Sequence, residues 1–108
     1  MELVEYIRGN KNKKIGIMVS FIRDDKLVIG FSKCNKKDEF DKERGLQIAR
    51  ERAIIWNKFY DSDKEYKIPK SCEDQFIKFV NRTLRYFKYS VLPNWLRSQT
   101  DIINGVFK

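Results

Sequence analysis

Apolar residues alternate with polar or small ones in two early stretches of the chain. Ile15, Ile17, Val19 and Phe21 interleave with Gly16, Met18 and Ser20, and Leu27, Ile29 and Phe31 repeat the period after Asp24-Asp25. A period of two marks a half-buried strand, and the clusters Gly9-Asn10-Lys11-Asn12 and Asp24-Asp25 supply the turns between strands. With Glu2 to Arg8 as the first strand, residues 2 to 34 are expected to form an antiparallel meander with one apolar face.

Past Cys34 the period lengthens to that of a helix. Leu46, Ala49, Ala53, Trp56 and Tyr60 recur three to four apart, Asp38 or Asp41 is placed to cap the N-terminus, and acidic residues crowd the first turn, so a helix is expected from about Asp41 to Tyr60. Gly45 in that first turn costs about 1 kcal/mol relative to alanine, and tight packing of helix on sheet explains it better than the approach of a ligand. Asp61 to Lys70 reads as a polar linker. Ser71 begins a second helix with Phe76, Val80, Leu84 and Phe87 as its apolar stripe and Pro93 as its end, and Asn94 caps a short third helix to about Ile103. The expected fold is α+β in a single domain, 1–108: an antiparallel three-stranded sheet followed by two main helices and a short C-terminal helix.

Composition changes this picture mainly by what it removes. Hydrophobic residues make up 42% of the 108 and aromatics 14%, enough for a packed core and against a disordered basic tail. Histidine is absent, so the commonest general base and a frequent zinc ligand are missing. Cys34 and Cys72 lack paired spacing, and no nucleophile elbow or glycine-rich phosphate loop occurs. Cys34, between a strand and a helix cap, reads better as a small buried residue than as a stabilised thiolate. A binding role is expected rather than catalysis, with no metal and no cofactor. An enzyme acting on nucleotides survives only where the substrate supplies its own acid or base. No apolar run approaches the roughly 20 residues of a membrane span, and the first residues are acidic where a signal peptide is basic, so a cytoplasmic protein is expected.

Charge supplies the candidate chemistry. Lys and Arg number 23 against 15 Asp and Glu, a formal net charge of +8, and from Gln75 to Thr100 there are five basic residues and no acidic one. Lys78, Arg82 and Arg85 are spaced four and three apart, on one helical face, with Phe79, Tyr86 and Tyr89 as flanking rings. Cations for phosphate beside rings for a base suit a nucleotide, free or polymeric. The face reads equally as solvated surface, or as the partner of the Asp38 to Glu43 acidic patch on another subunit of a homo-oligomer. Arg50 and Arg52 form a second basic group; a lone arginine beside Ala49 and Ala53 more often snorkels or pairs with a carboxylate than enters a ligand pocket.

Residues 30 to 53 carry a resemblance. The strand ending Gly30-Phe31-Ser32 runs through Cys34-Asn35, Asp38 and Phe40-Asp41 into a helix reading Gly45-Leu46-Gln47-Ile48-Ala49, then Arg52-Ala53. This segment resembles the phage-encoded Thoeris anti-defence sponge family, first type, whose members sequester a cyclic ADP-ribose signal and in some cases cyclic oligonucleotides. The resemblance covers 24 of the 108 residues. It implies an α+β homo-oligomer without catalysis, acting in the host cytoplasm, with Arg52 the one pocket position that carries over. The first functional expectation is therefore capture of an anionic nucleotide signal, with Arg50, Arg52, Arg82 and Arg85 toward phosphates and Phe79 or Tyr86 for stacking. The alternative is a basic viral protein that binds nucleic acid or inhibits a CRISPR effector; small RNA-binding α+β modules share a meander followed by a packed helix.

Overall fold

The computed structural model describes residues 1–34, 38–58, 68–88, 91–97 and 105. Strands β1 (Glu2–Arg8), β2 (Lys14–Arg23) and β3 (Lys26–Lys33) form an antiparallel sheet in that order, followed by α1 (Lys42–Lys58), α2 (Glu73–Phe87) and α3 (Asn94–Arg97). The α+β expectation holds. Asp24 and Asp25 both have left-handed φ, 51° and 61°, as a two-residue type I′ turn requires, and that turn pairs Arg23 with Lys26. The register follows from it: Phe31 lies opposite Met18, and Met18 opposite Glu5.

The sheet has two apolar faces where alternation implied one. Every residue from Gly16 to Ser20 is buried, and so is every residue from Leu27 to Ser32. Ile17, Val19 and Val28 pack under Ala49 and Ala53 of α1, with Val4, Tyr6 and Leu46 at the margin. On the opposite face Leu3, Ile7, Met18, Leu27, Ile29 and Phe31 join Phe76, Phe79, Val80 and Leu84 of α2 and Trp95 and Leu96 of α3. Uninterrupted burial along a strand is what a sheet covered on both sides requires.

Small residues set the approach of α1. An added Cβ on Gly30 would stand 2.6 Å from the Ala53 amide nitrogen and closer still to the Ala49 carbonyl oxygen, so the helix backbone rests directly on β3. Gly45 is under no such constraint: its Cβ would meet Ser32 Oγ at 3.4 Å, an ordinary contact. The close approach expected at Gly45 thus belongs to Gly30, and packing explains it. Two hydrogen bonds tie the layers together, Ser32 Oγ donating to the Gly45 carbonyl at 2.7 Å and the Ser20 and Thr83 hydroxyls pairing at 2.9 Å.

The helix ends show local chemistry at work. Asp41 Oδ1 accepts from the Glu43 and Arg44 amides at 3.1 and 3.3 Å, which makes it the cap of α1. A 3-10 turn at Lys70–Cys72 leads into α2, and Lys88, with φ 57°, ends α2 well before Pro93. The expected helical extensions to Tyr60 and Ile103 and most of the 61–70 linker lie outside the described residues.

Candidate functional interface

The two arginines of α1 leave it on different sides. Arg50 pairs with Glu2 of β1, its Nε donating to Glu2 Oε2 at 3.0 Å. Arg52 reaches the opposite edge of the sheet, β3, where Nη1 donates to the Phe31 carbonyl at 3.2 Å and the guanidinium lies 5.9 Å from a Trp56 ring centroid. Two positions along a helix amount to a rotation of about 200°, so these residues do not share a pocket. Each has a structural bond of its own, Arg50 to a carboxylate and Arg52 to a backbone carbonyl.

The hydrogen bond from Arg50 holds the Glu2 carboxyl below its ordinary value, with burial opposing and the arginine's charge adding. Because the folded pKa is the depressed one, the pair contributes stability above the unfolded pKa, about 4.3, and loses it as pH falls through the folded value. Both side chains are substantially exposed, which limits the contribution to less than about 1 kcal/mol. Arg50→Ala is expected to cost that much at neutral pH and less at acid pH, as protonation of Glu2 removes the charge that the pair depends on. Urea unfolding at the two pH values checks it; an equal loss at both would assign Arg50 a packing role instead.

The basic residues of α2 stand on the opposite face of the sheet from α1. Gln75 meets Arg8, Arg82 forms an ion pair with Glu5, and the Tyr86 hydroxyl donates to Met1 Sδ, so this flank of α2 runs antiparallel along β1. Lys78 and Arg85 are exposed and make no ion pair among the described residues. Tyr86 is 47% exposed and packs edge-on against Phe87. Phe79 is a correction. It is fully buried in the core, edge-on to Phe76, and offers no face to a ligand. The signal was in the spacing, since Phe79 lies three residues after Phe76 and four before the buried Thr83, on the apolar stripe itself.

Of the six sequence candidates, Arg82, Arg85 and Tyr86 therefore share a surface, Arg50 and Arg52 belong to the far layer, and Phe79 is core. A cavity of about 410 Å³ lies elsewhere, where β3 passes into α1; Ser32, Lys33, Cys34, Asp38, Asp41 and Arg44 are among its lining residues. Cys34 is half-buried there, its thiol donating to the Asp38 carbonyl at 3.2 Å. Among the described lining residues the carboxylates of Asp38, Glu39 and Asp41 stand with the cations of Lys33 and Arg44, and Asp41 already caps the helix.

No family model, curated protein or solved structure matches this chain. Among the described residues no helix is long and apolar enough to cross a membrane, and no group of three or more Cys, Asp or Glu side chains is placed to hold a metal ion. The α2 flank therefore stands as the candidate interface on its own physical chemistry.

Proposed function

We propose that this chain is a non-catalytic binding protein whose partner is the phosphate backbone of a nucleic acid, engaged through the exposed flank of α2. One observation carries the reading: Lys78, Arg82 and Arg85 form a single helical row in a stretch without a carboxylate, and two of the three have no ion-pair partner among the described residues. An open row on a helix suits an extended row of phosphates, where each neutralised charge releases counterions. Tyr86, one turn beyond Arg82, adds a ring on which a base can stack.

Capture of a small anionic cyclic nucleotide by an anti-defence sponge is the second reading. It is favoured by the resemblance of residues 30 to 53 and by the exposed ring of Tyr86 beside Arg82 and Arg85. A small ligand is held by enclosure, and the candidate arginines divide between two layers, so such a pocket would need a second copy to complete it. The role of viral antagonist of bacterial immunity, and the host cytoplasm as its place, enter through that resemblance alone.

Salt separates the readings. Titrations with duplex DNA, duplex RNA, a cyclic ADP-ribose isomer and a cyclic oligonucleotide are expected to give duplex binding whose log Kd rises with log salt by about 0.9 per phosphate contacted, with the cyclic ligands inert at micromolar concentration. Sub-micromolar binding of a cyclic nucleotide that persists through moderate salt, with weak duplex binding, would reverse the order.

A further inference from the structure

The two edges of the sheet are finished differently. The type I′ turn makes Arg23 and Lys26 a hydrogen-bonded pair, so alternate residues of each strand turn their N–H and C=O across the ladder and the others turn them outward. On β3 the outward residues include Ile29 and Phe31, and side chains meet both: Trp95 Nε1 donates to the Ile29 carbonyl and Arg52 Nη1 to the Phe31 carbonyl, each at 3.2 Å. On β1 the outward residues are Glu2, Val4, Tyr6 and Arg8. Gln75 satisfies Arg8, its Nε2 donating to the Arg8 carbonyl and its Oε1 accepting from the Arg8 amide, both at 2.8 Å. Among the described residues no group bonds the outward amides and carbonyls of Glu2, Val4 and Tyr6. An unpaired edge of this kind is a template for another strand.

We propose that this edge pairs with the same edge of a second copy, antiparallel about a two-fold axis at Val4, joining two three-stranded sheets into one of six. Val4 then faces Val4, and Glu2 of each copy faces Tyr6 of the other. Three such pairs exchange about six main-chain hydrogen bonds. The charges agree with this register. Lys14 Nζ lies 4.2 Å from the Tyr6 ring centroid and the Arg8 guanidinium carbon 5.7 Å from it, so Glu2 of one copy arrives beside two cations of the other. Gln75 limits sliding, because a register shifted toward Arg8 would have to displace its two bonds.

The same axis brings the two α2 flanks to either side of the join, since α2 follows β1 from Gln75 at Arg8 to Tyr86 at Met1. Two basic rows then border one groove. Their mutual repulsion opposes the pairing at low salt and is largely screened at about 0.15 M, where the Debye length is about 8 Å. The pairing stands on the strand edge and not on any ligand of α2, so the nucleic-acid reading and this one fail separately.

Sedimentation at that ionic strength and micromolar concentration is expected to give the mass of two chains. Val4→Pro removes an amide that is unbonded within the protomer, at an edge position where proline is tolerated, and is expected to give the mass of one chain with an unchanged far-ultraviolet spectrum. A cross-link decides the register even if the proline variant misfolds. In a Cys34→Ser background, Val4→Cys faces itself with Cα atoms about 5.5 Å apart, within disulfide range, and is expected to link two chains on oxidation. Glu2→Cys, opposite Tyr6, is expected to stay unlinked. A single-chain mass for the wild type, a folded Val4→Pro that remains paired, or linkage through Glu2→Cys but not Val4→Cys would overturn the proposal.

Discussion

A chain carrying Lys78→Ala, Arg82→Ala and Arg85→Ala together is expected to bind duplex nucleic acid about a thousandfold more weakly than the wild type at moderate salt. Each cation lost removes a charge-assisted bond of about 1.5 kcal/mol, and the three lie on one helical row where a single run of phosphates meets them all. The salt dependence carries the sharper signature. Removing three phosphate contacts should make the log–log slope shallower by nearly three, at about 0.9 per contact, while binding to every duplex sequence weakens alike. Stability should change little, because all three side chains are exposed and Arg82 loses only a half-exposed ion pair with Glu5. Fluorescence anisotropy across a salt series reads affinity and slope together. An unchanged slope would remove α2 from the interface.

Replacing Trp95 by alanine is expected to cost about 3–5 kcal/mol. Trp95 is fully buried, lies against Phe31, Trp56 and Phe76 with ring centroids 4.8–6.1 Å away, and gives the Ile29 carbonyl its donor. The loss combines a cavity with an unmet carbonyl on β3. Against a total stability of about 5–15 kcal/mol for a small domain, it leaves the variant marginal and lowers Tm by more than about 10 °C. Trp95→Phe should fall between, since most ring contacts return and the indole donor does not. Calorimetry on both variants tests the account; equal losses would place the energy in the hydrogen bond, and a Trp95→Phe variant as stable as the wild type would place it all in packing.

Much of this architecture is legible in local pattern. Alternation from Ile15 to Phe31 marks two strands, Asp24-Asp25 can supply the left-handed residues of a tight turn, Asp41 precedes an acidic first turn that it caps, and Phe76, Val80 and Leu84 mark the buried stripe of α2. The charge row is equally local, because Lys78, Arg82 and Arg85 share a face of any helix that contains them. Even the divergence of Arg50 and Arg52 follows from their spacing of two.

Other features depend on residues far apart in the chain. Met18 and Ser20 look like the wet side of a half-buried strand until α2 covers them, and Ser20 meets Thr83 across 63 positions. Trp95, in a four-residue helix that periodicity cannot rank, becomes the centre of an aromatic cluster because α1, α3 and β3 converge on it. Local pattern and composition are enough for the α+β class, the order of the elements and the run of five basic and no acidic residues from Gln75 to Thr100, because each rests on neighbours within a few residues or on residue counts. Long-range packing alone reveals that both sheet faces are covered, that Phe79 is core, that the arginines of α1 and α2 lie in different layers and that the outward backbone groups of Glu2, Val4 and Tyr6 meet no bonding group among the described residues. Periodicity shows which side of an element is apolar, and only packing chooses what that side meets.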